Sequence, residues 1–265
     1  MTTGTQASVI SNHWLTAAPG LRAQFLSAQP FPLLVLDDFL DPAFAAALEE
    51  EFPAIEAMPK SRDYLFGNKH ELSSLEKTGP ASASYHSAMT SEVFRRFLHQ
   101  ATGFAVFVDP AFHGGGFHQG ADGSFLDMHV DFNVHPSHAT WLRTLNILLY
   151  LNREWDVPYG GELLLTATPD GTPLEIAPRF NRAVVMLTDD HTFHGYRRMT
   201  LPPGVTRKSV AAYAYREVGT SEVRPRTTGW VPRNAGLSKR LLARNYNTVV
   251  TLKNRLLGSG TAKNR

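Results

Sequence analysis

Apolar positions along the chain change their period twice. Phe31 to Phe39 (FPLLVLDDF) is a short apolar run of strand length. Asp41-Pro42 then opens a helix, aspartate suiting the N-cap and proline the first helical position, and Ala43 to Phe52 continues it with good helix formers. Thr90 to Ala101 puts Val93, Phe94, Phe97, Leu98 and Ala101 on one helical face, with Gly103 just beyond as a stop. Between these helices, Pro59 to Ala88 mixes polar and aromatic residues, including Arg62, Tyr64, Phe66, Asn68 and Lys69, with no clean period. It is expected to be a long loop with at most one short helix, and loops of that length usually carry function.

From Phe104 to Tyr215 the pattern becomes β. Apolar or alternating runs recur at Phe104–Val108, Phe125–Val130, Leu142–Leu151, Glu162–Ala167, Ala183–Thr188 and Ser209–Tyr215. Turn formers separate them, such as His113-Gly114-Gly115-Gly116, Pro158-Tyr159-Gly160-Gly161 and Pro202-Pro203-Gly204. Short strands without intervening helices predict a mainly β fold with flanking helices (α+β), built as a sandwich or jelly roll and not as a parallel sheet. Leu237, Leu241, Leu242, Tyr246, Val249, Val250, Leu256 and Leu257 then return to a helical period ending at Gly258. The chain thus divides into a helical and strand support region (1–103) belonging to the same domain as the β core (104–218), and a C-terminal extension (219–265).

Charge changes the view of that extension. Residues 219–265 hold ten Lys/Arg and one acid, 10 − 1 = +9, against 16 − 23 = −7 for the rest. A basic segment docked on an acidic body is the favoured arrangement, with an anionic partner as the alternative. Nucleic-acid binding is disfavoured, because Trp230 and Tyr246 are the extension's only aromatics for stacking. At 265 residues and 43% apolar content the chain suits one domain with a sizeable core. No run approaches the roughly 18 apolar residues of a membrane span. Met1 to Leu15 lack a secretory pattern, so a cytoplasmic protein is expected. The absence of cysteine excludes disulfides and thiolate sites, leaving His, carboxylate and water as metal ligands.

The segment Phe125 to Asn133 (FLDMHVDFN) carries the candidate chemistry. His129 and Asp131, two apart on a strand, share one face and can reach one ion. By itself this is weak, since random placement of 11 His and 12 Asp among 265 residues yields roughly 0.5 such pairs. His194, 194 − 131 = 63 residues later on a second strand, completes a set of two imidazoles and one carboxylate. That set leaves adjacent coordination positions open, the facial arrangement of non-heme Fe(II) oxygenases. Arg207-Lys208-Ser209, at the start of the next strand, offers a bidentate cation with a neighbouring hydroxyl for the far end of a dicarboxylate.

Together with Gly114-Gly115-Gly116-Phe117-His118, the run Arg143 to Asn152 (RTLNILLYLN), Trp155, Tyr159-Gly160-Gly161-Glu162-Leu163 and Phe180-Asn181-Arg182, these blocks resemble the prolyl-4-hydroxylase-like 2-oxoglutarate/Fe(II) oxygenases over about residues 104–216. The resemblance implies a double-stranded β-helix (jelly-roll) core, with Fe(II), 2-oxoglutarate and O2 as cofactor and co-substrates. It implies His129, Asp131 and His194 as iron ligands, Arg207 with Ser209 on the distal carboxylate, and Asn146 and Tyr150 on the co-substrate pocket. His118 stands near where relatives place a tyrosine that bonds the co-substrate. The implied reaction is hydroxylation of an unactivated carbon in a small-molecule or peptide substrate (peptidyl prolyl, amino acid, glycan or carrier-bound small molecule), coupled to decarboxylation of 2-oxoglutarate to succinate and CO2. Relatives that halogenate carry Gly or Ala at the carboxylate position, so Asp131 favours hydroxylation. The competing view is a cupin-like isomerase or binding module with a non-redox metal, which leaves Arg207 without a task.

Overall fold

Two antiparallel sheets and four α-helices make up the computed structural model, which describes residues 9–60, 65–155, 157–219, 224–233, 236, 238, 239 and 241–243. The helices come first, apart from the strand β1 (Leu33–Leu36) and the short strand β2 (His70–Leu72). Helix α1 (Asn12–Ser27) buries Ala18, Leu21 and Phe25, one stripe at i, i+3 and i+7. Helix α2 (Pro42–Glu50) starts where the sequence predicts, with the Asp41 carboxylate accepting from the Ala43 and Phe44 amides. Helix α4 (Glu92–Thr102) is capped by the Ser91 hydroxyl and stopped by Gly103, whose φ of 84° suits glycine.

Pro59 to Ala88 departs from expectation. It is not one long loop: it contains β2 and most of helix α3 (Pro80–Met89). Helix α3 has only a thin apolar stripe, Ala81, Tyr85 and Met89, to announce it. The Glu51 carboxylate organises its first turn instead, accepting from the Ala81 and Ser82 amides and the Ser82 hydroxyl at 2.8, 2.7 and 2.6 Å.

The core strands are β3 (Phe107–Val108), β4 (Gly116–Gly120), β5 (Leu126–Val130), β6 (Val134–His135), β7 (His138–Tyr150), β8 (Leu163–Thr166), β9 (Leu174–Ile176), β10 (Arg182–Leu187), β11 (Phe193–Tyr196), β12 (Arg207–Glu217) and β13 (Gly229–Trp230). The larger sheet runs β1-β10-β7-β12-β4-β2, with β3 on β12 and β6 on β7; the smaller runs β13-β5-β11-β8-β9. Strand alternation sorts the larger sheet's side chains. Leu145, Ile147, Leu149, Val210, Ala212 and Ala214 join the helices in the main core. Asn146, Leu148, Tyr150, Ser209 and Tyr213 face the other way and line a cavity shared with the smaller sheet.

One bulge matters. The β7–β12 register passes from Leu145↔Ala214 to Arg143↔Tyr215, so Thr144 is an extra residue on β7. That shift turns Arg143, on the opposite parity from Asn146, toward the same cavity. Among the described residues no helix is long and apolar enough to cross a membrane. The amphipathic pattern from Leu237 to Leu257 lies mostly outside the described residues. The nearer part of the extension docks through β13 on β5.

Candidate active site

The cavity between the sheets has a volume of about 180 Å³. His129 and His194 are directly opposed across the β5–β11 pairing, and Asp131 follows two residues after His129. Ligand atoms of these three buried residues lie within 4.8 Å of one another. Each imidazole Nε2 is 3.6 Å from a different oxygen of the Asp131 carboxylate. The Nδ1 atoms donate to backbone carbonyls, His129 to Asp127 at 2.9 Å and His194 to Thr192 at 3.2 Å. A neutral ring bonded this way keeps its Nε2 lone pair for the cluster. Burial and the neighbouring His129 ring push the His194 pKa down to about 4, so it is neutral at physiological pH. Gly195 permits the close approach of the two strands: a Cβ there would stand 2.6 Å from the Leu126 carbonyl oxygen.

Burial alone would raise the Asp131 carboxyl, but Arg143 and the two imidazoles outweigh it and hold it well below the usual carboxylate range. Arg143 Nη1 is 3.0 Å from Asp131 Oδ2, and Asn146 Nδ2 donates to the same oxygen at 3.3 Å. The guanidinium is fully buried, with the Phe132 and Tyr213 rings 3.7 and 3.6 Å from its carbon. Asp131 is therefore a fixed, ionised acceptor. Two imidazoles and one ionised carboxylate form the donor set that suits a divalent first-row metal such as Fe(II).

Arg207 occupies another stretch of the same wall. Its Nε donates to the Gly161 carbonyl at 2.7 Å and its Nη2 to the Tyr150 hydroxyl at 3.2 Å, while the Tyr196 ring lies 4.4 Å from the guanidinium carbon. Asn146 holds Asp131 and Tyr150 holds Arg207, and the two are four residues apart on β7, roughly 13 Å along the strand. A short dicarboxylate chelating a metal at one end would have Arg207 within reach of its other end. Ser209 and His118 are cross-strand partners on this face, with Tyr150 beyond Ser209.

All seven residues singled out from the sequence, His129, Asp131, His194, Arg207, Ser209, Asn146 and Tyr150, line this one cavity. Asp127 does not join the cluster, since its side chain pairs with Lys239 at 2.6 Å. His135 bonds Asp109 and His138 stacks on Trp141. Arg143, Trp230 and the Lys69–Glu71 pair also line the cavity, although sequence reasoning gave them no role. Lys69 Nζ is 2.7 Å from Glu71 and 3.3 Å from His118 Nδ1. An ammonium only donates, so His118 Nδ1 accepts and the neutral ring carries its proton on Nε2, which lies 3.9 Å from the Glu71 carboxylate. Burial and Lys69 push the His118 pKa down to about 3.

Residues 115–215 match the sequence model of the 2OG-Fe(II) oxygenase superfamily. That stretch, running from the turn before β4 into β12, is what the chain shares with the 2OG-Fe(II) oxygenases. No curated protein matches it in sequence. Solved structures similar to this chain include a prolyl-4-hydroxylase from Pseudomonas putida, with a TM-score of 0.55 and 20% identity over 76% of this chain and 100% of that one. A Trichoplax adhaerens prolyl hydroxylase, solved with a hypoxia inducible factor oxygen degradation domain peptide, gives 0.53 and 13% over 77% and 93%. A prolyl 4-hydroxylase from Phytophthora capsici gives 0.53 and 18% over 81% and 68%. At such identities these structures establish the fold, the expected jelly roll. That family's iron and 2-oxoglutarate fit what this chain presents: two imidazoles with a carboxylate, and a guanidinium, in one cavity.

Proposed function

We propose that the protein is a hydroxylase in which His129, Asp131 and His194 hold Fe(II), while Arg207, with Ser209 and Tyr150, binds the distal carboxylate of 2-oxoglutarate. The observation that carries this is the convergence of the three ligand side chains and Arg207 on one buried cavity. The cofactors supply oxidative decarboxylation: 2-oxoglutarate, O2 and a C–H substrate become succinate, CO2 and an alcohol, one oxygen atom entering succinate and the other the substrate. The chain's own residues set the conditions. Arg143 and Asn146 keep Asp131 ionised and oriented, and the backbone bonds of the two histidines keep Nε2 available. Arg207 fixes the co-substrate's far end, and Asp131 fills the position a halide would need.

Anaerobic Fe(II) titration followed by 2-oxoglutarate tests the assignment. One Fe(II) per chain and a weak visible charge-transfer band are expected, both abolished by His129→Ala or His194→Ala. A normal band in either variant removes that residue from the ligand set. A cupin-like non-redox site would bind metal without any 2-oxoglutarate response. The substrate is a peptide or small molecule. A panel led by proline-containing peptides, scored for succinate and for a product heavier by one oxygen, identifies it.

A further inference from the structure

We propose that the C-terminal segment 224–233 is a clasp that sets metal affinity, with Arg226 and Trp230 as its positioning residues. The segment lies outside the stretch that matches the oxygenase family. The inference rests on the assignment of His129, Asp131 and His194 as metal ligands.

Asp131 lies beyond the last residue of β5, so the β5–β11 ladder does not hold its backbone. The clasp does. Arg226 Nη1 donates to the Asp131 carbonyl at 2.7 Å, and Asn133, two residues on, exchanges backbone and side-chain bonds with Arg224 and Arg226. The Arg226 Nη2 atom is also 2.8 Å from Asp190, in the turn that leads into β11 and His194. One guanidinium therefore ties the segment that follows β5, where Asp131 sits, to the turn preceding His194.

Trp230 acts on the ring of His129. It opposes His129 in the β13–β5 register, and its indole lies 4.7 Å from the imidazole at an interplanar angle of 31°. Phe66 stacks on the indole at 4.9 Å and 13°, in turn fixing the indole. The imidazole plane is thus held twice, by its Nδ1 bond and by the indole. The indole N–H is buried without a hydrogen-bond partner, so Trp230→Phe keeps an aromatic face and gives up no bond.

Co(II) binding to the full-length metal-free protein, measured by calorimetry, tests the clasp. Outer residues that orient metal ligands typically contribute about 10–100-fold in affinity. Arg226→Ala and Trp230→Ala should each weaken Co(II) binding about tenfold or more, and Trp230→Phe should recover most of the loss. Asp190→Asn, which removes the second anchor without touching β5, should weaken it by a smaller factor, and it serves if Arg226→Ala fails to fold. Arg182→Ala, which breaks the remote pair with Asp37, should leave Co(II) affinity unchanged while metal-free thermal unfolding reports its effect on stability. Wild-type affinity in Arg226→Ala and Trp230→Ala, or an equal loss in Arg182→Ala, overturns the clasp. If His194→Ala abolishes binding in that case, the ligand assignment stands and only the clasp fails. If His194→Ala binds Co(II) like wild type, the assignment fails and takes the clasp with it.

Discussion

Arg143→Met removes the buried cation that faces Asp131 and keeps an apolar stem of similar length. In the metal-free protein it leaves a carboxylate that is 9% exposed, with the Asn146 amide as its remaining neutral donor. Removing one partner of a buried ion pair costs about 3–5 kcal/mol. Loss of the guanidinium between the Phe132 and Tyr213 rings adds up to about 2 kcal/mol. At about 2–4 °C per kcal/mol for a chain near this size, the melting temperature should fall by at least about 6 °C. Asp131→Asn alone should be similarly costly, because it strands the guanidinium. The double variant Arg143→Met/Asp131→Asn leaves neither position charged and should be more stable than the sum of the singles predicts. Denaturant unfolding of the four metal-free proteins gives the coupling energy directly. A coupling below about 1 kcal/mol would refute the argument that these two charges stabilise each other across the 3.0 Å contact.

Arg207→Ala should raise the 2-oxoglutarate requirement more than tenfold, from about 2–5 kcal/mol of lost charge pairing, with Fe(II) affinity largely kept; unchanged co-substrate affinity would move the role to Lys208. His118 and His194 have folded pKa values depressed to about 3 and about 4 from 6.5, so the unfolded chain takes up more protons as pH falls. Metal-free stability should be complete above about pH 6.5 and fall below it by up to about 1.4 kcal/mol per pH unit for each histidine; His118→Gln should reduce that slope, as read from denaturation across the window. Asn181 sits at φ 55° and holds the Leu40 amide and carbonyl with two 2.9 Å bonds. Asn181→Ala should cost about 1–3 kcal/mol for each group left unpaired, measured by equilibrium unfolding.

Strand alternation made much of the site legible. Asn146 and Tyr150 are an even number of residues apart on β7, and Asp131 follows His129 by two just past the end of β5, so a shared face followed from spacing alone. Arg143 was hidden because alternation points it away from Asn146, and only the bulge at Thr144 reverses that. Such a shift arises from pairing with a strand seventy residues distant and leaves no local mark. Helix α3 could not be located within Pro59 to Ala88 for a related reason: the carboxylate that organises its start is Glu51, thirty residues upstream. Helix α1 carries Pro19 in its interior and buries few large side chains, which masks its period. Trp230 and Arg226 were visible only as members of a basic extension, because their importance depends on which strand β13 joins.

Strand β1 has a consequence for protein engineering. It caps the larger sheet by pairing Leu33–Leu36 with Ala183–Met186 of β10. A fragment trimmed to the oxygenase match, residues 115–215, would leave that side of β10 without a partner and expose its apolar row, an invitation to intermolecular strand pairing. It would also discard Lys69, Glu71 and Trp230 from the cavity wall. The stretch that records ancestry is therefore a smaller unit than the one that can be moved to a new scaffold. A transplantable cassette needs the front strand and the rear clasp as well.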